Sequence, residues 1–457
     1  MPPTPVTPAV AERLAAAIAG IDAGRLSPGL RAMAETLVID VIGLCVAARH
    51  ADYIASARAG FDDVGTATVI GHERPASPAA AAFINGIAAH GEDFDDTFEG
   101  GPVHAGAVIV PAILAIAEQE RLGGAETLRG LAVGVEVMCR MSLVKPKAIH
   151  KAGFHPTAVL GAIGAAAGVG AALRLPPVQF VNALGIAGSM ASGIIEYLTD
   201  GASTKRLHPG WAAQSGLRAA LLARAGFDGP RTVLEGPHGL LHGFANSLDG
   251  DWSRLLDGFG TTWICETLAF KPYPCGTMAH PYIDCARRFA KRAVPAADIA
   301  SIVCETAEGF VHRLWEPLAA KQAPPNGYAG KFSIPYCVAA AILQGDVGLD
   351  TFTDAAVADP GVRALAAKVS YVIDPDSAYP HNYTGHIRVT LSDGRIIEER
   401  QPHLRGGARE PLSKADIEAK FTLNTRYGGW SDGATRSALA VARGLFTQTI
   451  DLAALRQ

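Results

Sequence analysis

Aromatic residues are scarce in this chain of 457, at 7%, and charged residues reach only 18%. With 49% hydrophobic residues, the core must rest on aliphatic and small side chains, and that apolar fraction excludes a disordered chain. Basic charge is not in surplus. Lysine and arginine number 40 against 44 acidic residues, a net charge of −4, which excludes a dedicated nucleic-acid partner. Any attraction for an anionic ligand must therefore be local. Cysteine is sparse and scattered: none of the seven forms a C-x-x-C pair, so no zinc ribbon or cysteine-held iron–sulfur cluster is expected. An odd, dispersed set fits reduced thiols. Met1-Pro2-Pro3-Thr4 lacks the basic and apolar regions of a signal peptide, so a cytoplasmic location is expected.

Long membrane-type runs are also missing. Thr157 to Leu173 and Leu175 to Ile195 carry no charge, but the first is mostly alanine and glycine, and the second holds Pro176, Pro177, Gln179, Asn182 and Ser189. Both read as buried helices, with no membrane partner. No G-x-G-x-x-G follows a strand, and no Walker lysine motif occurs. Histidine, lysine and carboxylate chemistry remains, with no metal and no organic cofactor expected.

Helical patterns fill the chain up to the region of Thr261. Ser77-Pro78 reads as an N-cap followed by a first-turn proline, with Phe83, Ile84, Ile87 and Ala88 at helical spacing. Ala125 to Leu143, Thr157 to Leu173 and Trp211 to Ala225 are further helices. Gly161, Gly164, Gly168 and Gly170 weaken an isolated helix and so predict close helix–helix approach. Strand signals follow: Ile299 to Glu305, then alternating Ile387, Val389 and Leu391, with an Asp393-Gly394 turn before Ile396. Helices return at Ser333 to Leu343, Lys414 to Phe421 and Ala434 to Phe446. The expected fold is mostly α with an inserted α+β lid. Residues 1–267 and 401–457 would form a large all-helical domain from both chain ends, and 268–400 a smaller α/β domain.

Four clusters carry candidate chemistry. His90-Gly91-Glu92-Asp93-Phe94-Asp95-Asp96-Thr97-Phe98-Glu99, followed by His104, packs five acids into eight residues between two apolar runs. A carboxylate beside an imidazole orients its tautomer and raises its basicity, as proton abstraction requires. His155, in Gly153-Phe154-His155-Pro156-Thr157, falls at a helix N-terminus, where the positive helix end lowers its proton affinity; a structural role is the equal alternative. Lys205 and Arg206, in a glycine-bounded loop, suit carboxylate binding as readily as they suit a basic surface loop. Lys271, in Lys271-Pro272-Tyr273-Pro274-Cys275, sits on a proline-stiffened segment at the expected domain boundary, either as a plain linker or where a lid closes on a ligand.

Together these clusters resemble the MmgE/PrpD family, whose members include 2-methylcitrate dehydratases, cis-aconitate decarboxylases and iminodisuccinate epimerases. The matching residues are His90 through Thr97 with His104, Gly153-Phe154-His155-Pro156, Lys205-Arg206-Leu207-His208 with Gly210, Phe227-Asp228-Gly229-Pro230, Lys271-Pro272-Tyr273-Pro274 and Lys331-Phe332-Ser333-Ile334-Pro335-Tyr336. The resemblance implies a homodimer and a cofactor-independent lyase. Such an enzyme takes a proton next to a carboxylate of a hydroxy di- or tricarboxylate and eliminates water. Epimerisation or decarboxylation is the alternative outcome. It implies Asp93, His104 and His155 as catalytic residues, Asp93 orienting an imidazole. It also implies Thr97, Lys205 and Lys271 as substrate contacts, which Arg206 joins on charge. Two departures stand against decarboxylation: Gly276 stands where the itaconate-forming members suggest a histidine, and Glu99-Gly100-Gly101-Pro102 replaces a shorter linker. A remote alternative starts from Asp95-Asp96-Thr97-Phe98-Glu99, which resembles the magnesium-binding D-D-x-x-D/E motif of isoprenoid synthases, without the second acidic motif expected downstream. A non-catalytic binding protein is the other.

Overall fold

Serine–proline pairs start the first long helices. In the computed structural model, which describes residues 7–61, 63–101 and 103–457, Ser27 accepts from the Leu30 amide ahead of α1 (Pro28–Ala48), and Ser77 accepts from the Ala80 amide ahead of α2 (Pro78–His90). Each hydroxyl satisfies one of the amides that a helix start leaves without a partner. The Met1-Pro2-Pro3-Thr4 terminus and Pro102 lie outside the described residues. Helices α3 (Gly106–Glu120), α4 (Gly124–Val144), α5 (Pro156–Ala172), α6 (Pro177–Met190) and α7 (Thr204–Arg224) follow. Then come α8 (His280–Ala290), α9 (Ile334–Gln344), α10 (Lys414–Tyr427) and α11 (Asp432–Gly444). The strands are β1 (Ile299–Thr306), β2 (Val369–Ile373), β3 (Gly385–Leu391) and β4 (Ile396–Gln401). The fold is mostly α with a smaller α/β part, and no helix among the described residues is long and apolar enough to cross a membrane.

The chain divides into two units. One comprises residues up to Gly91, Asp95–Ala269 and the chain from Lys414 on; the other comprises Glu92–Phe94 and Phe270–Ser413. In the first, α5 is buried along its whole length. Gly164 and Gly168 face α4: a Cβ on Gly168 would lie 2.8 Å from the Gly130 carbonyl oxygen and 3.1 Å from Gly134 Cα. Small residues thus bring two backbones into contact, as the glycine pattern predicts. The same device joins α2 to α7, where a Cβ on Gly86 would lie 2.6 Å from Gly210 Cα. That contact places the end of α2 beside the beginning of α7. The C-terminal helices belong to this unit, and the buried Lys420 Nζ of α10 meets Asp40 Oδ1 of α1 at 2.7 Å.

In the second unit the strands form a mixed sheet in the order β2-β1-β3-β4. β1 pairs parallel with β2 and antiparallel with β3, and β3 pairs antiparallel with β4. Tyr282 and Phe289 of α8 and Tyr336 of α9 are buried with Ile302, Trp315 and Ile387 in its core. Two features depart from the sequence reading. α7 begins at Thr204 rather than near Trp211, because the helix runs through Pro209 and gives up one backbone bond there. β2 had no sequence expectation at all.

Candidate active site

The first cluster lies where α2 ends. His90 is the last residue of that helix and is buried, and its Nδ1 sits 2.7 Å from Asp95 Oδ2. Asp96 serves the next helix: its carboxylate accepts from the Ala105 amide at 3.1 Å and the Gly106 amide at 2.9 Å, at the start of α3. A negative charge is favoured at that helix end. Glycine is needed at 106, since a Cβ there would collide with the same carboxylate. The Asp96 carbonyl oxygen meets His104 Nδ1 at 2.6 Å. A carbonyl only accepts, so Nδ1 carries the proton and Nε2 presents its lone pair, the tautomer a general base needs. Asp95 Oδ2 lies 3.8 Å from His104 Nδ1. The His104 amide donates to Thr157 Oγ1 at 3.3 Å, tying this loop to the first turn of α5. Thr97 pairs through its backbone with Ala269, 2.8 Å in both directions, and its hydroxyl takes no part in that bridge.

His155 stands at the N-cap of α5, buried, with its amide donating to the Gly193 carbonyl at 2.8 Å. Its Nδ1 lies 3.1 Å from Nδ1 of His208, so one of these rings donates to the other. Burial, before the neighbouring cationic groups His90, His208, Lys205 and His104, holds His155 well below the ordinary imidazole range. Burial likewise pushes His208 down to about 4, with His90 and Lys205 adding to the effect. Both rings are neutral near pH 7. The four imidazoles form a row: ring centroids are 5.0 Å apart for His104 and His90, 5.9 Å for His90 and His155, and 5.3 Å for His155 and His208.

The cations divide by role. Lys205 lies half-buried in the first turn of α7. Arg206, beside it, donates from Nε to the Gly91 carbonyl at 2.9 Å, and its guanidinium lies 4.6 Å from the Tyr53 ring centre, so it braces the end of α2. In the second unit, Lys271 Nζ donates to the Asp93 carbonyl oxygen at 3.0 Å and to Asp93 Oδ1 at 3.1 Å. Lys331 treats Glu92 the same way, at 2.7 Å to the carbonyl and 2.9 Å to Oε2. Both lysines are buried. The carboxylate on His90 is therefore Asp95, while Asp93 engages Lys271. His104, His155, Lys205, Arg206 and Thr97 belong to the first unit, and Asp93 and Lys271 to the second. Sequence reasoning gave no role to His90, His208 or Lys331, and to Asp95 only that of a magnesium ligand in the remote alternative, although each stands in a motif quoted above. The spacing of His90 and Asp95 across one short loop was the available signal.

Among the described residues, one group of histidine, cysteine or acidic side chains has ligand atoms close enough for a metal ion: His90, Asp95 and His104, within 4.8 Å of one another. Nδ1 of each ring is on an oxygen, an arrangement that suits a hydrogen-bonded relay and that equally orients a ring whose Nε2 ligates a metal. Of the acids in the isoprenoid-type motif, Asp95 meets His90 and Asp96 meets the first amides of α3.

Residues 12–252 match the MmgE/PrpD N-terminal domain and residues 273–442 the MmgE/PrpD C-terminal domain. Cis-aconitate decarboxylase of Homo sapiens is 29% identical over 429 residues, covering 91% of this chain and 87% of that protein. The cis-aconitate decarboxylase of Aspergillus terreus is 27% identical over 420 residues, with 85% and 83% covered. A 2-methylcitrate dehydratase of Cupriavidus necator is 28% identical over 257 residues, with 53% and 51% covered. On these matches the chain belongs to the MmgE/PrpD family and is an enzyme of the lyase class.

Proposed function

We propose that the protein is a cofactor-independent hydro-lyase acting on a hydroxy tricarboxylate of the 2-methylcitrate type. The observation that carries this reading is the histidine row, buried at His90, His155 and His208 and part-exposed at His104, with His104 fixed in the Nε2 lone-pair tautomer. A proton next to a carboxylate is weakly acidic, so its removal needs a placed base and stabilisation of the enolate-like charge that develops. His104 Nε2 takes the proton. His155, neutral and at a helix N-terminus, donates a hydrogen bond to the developing oxyanion, a task for imidazole rather than imidazolium. The imidazolium of His104 then returns its proton to the departing hydroxyl, so water leaves and the base is restored. Lys205 neutralises a substrate carboxylate, and Thr97 hydrogen-bonds the substrate. Lys271, paired with Asp93, adds positive charge, and the active species is a homodimer with twice the 47.5 kDa chain mass.

A second reading, decarboxylation of cis-aconitate, has one observation in its favour: the decarboxylase relatives match over most of the chain. One experiment covers both. The enzyme is incubated with 2-methylcitrate, citrate and cis-aconitate in deuterated water and followed by NMR, with and without EDTA. Expected are deuterium uptake beside a carboxylate and formation of the unsaturated acid, unchanged by EDTA. No uptake with any of the three sinks the reading. Activity lost in EDTA and regained with Mg²⁺ removes its cofactor independence.

A further inference from the structure

We propose that Asp95 is the positioning carboxylate of this site, fixing His90 by a hydrogen bond and lending its charge to His104. This deepens the reading of His104 as the base and rests on it for its catalytic consequence. Three observations converge. Asp95 is completely buried, and Oδ2 lies 2.7 Å from His90 Nδ1 and 3.8 Å from His104 Nδ1. A carboxylate accepts, so Nδ1 of His90 carries the proton, and its Nε2 is left buried with no hydrogen-bond partner among the described residues. Leaving a buried polar atom unmatched costs about 1–3 kcal/mol, so the ring is not placed there for stability. It stands between the rings of His104 and His155 and sets their spacing.

The charge argument concerns His104. Close to it are Asp95 and the Asp96 carbonyl from its own loop, His90 at the end of α2, and His155 at the start of α5. His155, held low by burial, brings no positive charge near pH 7. Asp95 is the negative group close enough to favour the imidazolium that forms when His104 Nε2 takes the substrate proton. The substrate proton moves between substrate and His104 Nε2 and never to Asp95, which remains ionised.

The test is Asp95→Asn, with Asp95→Glu as the charge-retaining partner. Histidine-¹⁵N NMR reads the protein itself, whatever its substrate. In the wild type, His90 should be the Nδ1–H tautomer. In the Asn variant, the His104 titration midpoint should fall by roughly one unit, since an adjacent carboxylate raises an imidazole's proton affinity. Kinetics with 2-methylcitrate or cis-aconitate should show kcat lower by on the order of 10²-fold with KM little changed. The acidic limb of kcat/KM, which reports the free base, should move to lower pH. Asp95→Glu should keep the limb in place with a smaller loss of kcat. An unmoved His104 midpoint in Asp95→Asn overturns the proposal. If that variant does not fold, Asp95→Glu decides: wild-type His90 and His104 signals together with wild-type kcat overturn it. A wild type inactive on both acids defeats the proposed reaction, while the NMR still decides the role of Asp95.

Discussion

His104 and His155 are treated differently by their surroundings, and their variants should differ in the same way. His104→Ala removes the base and should lower kcat by about 10²–10⁴-fold, with KM changed far less. His155→Ala removes a donor to the developing oxyanion and should cost about 10²–10³-fold. Steady-state kinetics check both, and near wild-type kcat in either variant refutes its assignment. Burial of His155 and His208 also has a consequence for stability. A histidine with a depressed folded pKa takes up its proton more readily in the unfolded chain. Its contribution is fully present above the ordinary value of about 6.5 and is lost as pH falls toward the folded value. For His208 the lower end of that window is about 4. The slope for each such residue is at most about 1.4 kcal/mol per pH unit. Tm measured from pH 7 downward should fall, and His208→Gln should flatten the fall; an equal slope in that variant would mean that His208 does not titrate this way. Part of this chemistry was legible in the chain, because Pro156 suits the first turn of a helix and so places His155 at its N-cap. Which of five acids meets which imidazole was not. That depends on the turn through Asp93, whose φ of 55° is left-handed, and a one-residue change there would redirect every later side chain.

Elements hold these residues through close backbone contact more than through large side chains. The α4–α5 contact puts a competition on Gly168. Alanine there gains about 1 kcal/mol of helix propensity over glycine. Its Cβ would lie 2.8 Å from the Gly130 carbonyl oxygen, however, and neither helix can rotate it away. Overpacking of this kind typically costs about 1–3 kcal/mol, so the clash outweighs the propensity. Gly168→Ala should lower Tm, with chemical denaturation giving a net loss of about 1–2 kcal/mol; a stabilised variant would show that the two helices separate freely. The glycine pattern, the serine–proline helix starts and the β3–β4 hairpin were all readable, because each is local chemistry. β2 was not, since Val369-Ser370-Tyr371-Val372-Ile373 lacks flanking turn residues and is made a strand by β1 alongside it. The start of α7 was misplaced because Pro209 reads as a break, while packing of Gly210 on α2 carries the helix through it.

At the scale of the whole molecule, the family is fixed by matches along most of the chain, and Gly276, one departure from the pattern expected of a decarboxylase, lies in the second unit. Decarboxylation leaves a carbanion after CO2 departs, and something must protonate it. Gly276 brings no side chain, and its amide donates to the Lys331 carbonyl at 2.9 Å. A Cβ there would meet Phe332 and Lys331 at ordinary distances of 3.4 and 3.5 Å, so glycine is not required at 276 by a close contact at Cβ. Cys275 beside it is buried, and burial drives its thiol well above the ordinary range. His280 lies buried with Nε2 3.2 Å from the Cys275 carbonyl oxygen, so it donates there instead of reaching outward. No group of this segment is set to protonate a carbanion. With cis-aconitate as sole substrate, headspace CO2 and itaconate should therefore stay near background under conditions in which 2-methylcitrate is dehydrated. The relatives that match over most of the chain pull the other way, which makes the measurement decisive. Itaconate formed at roughly 1 s⁻¹ or faster, an ordinary enzymatic turnover, would mean that the carbanion finds its proton without an imidazole at 276, and decarboxylation would replace dehydration as the reaction of this enzyme.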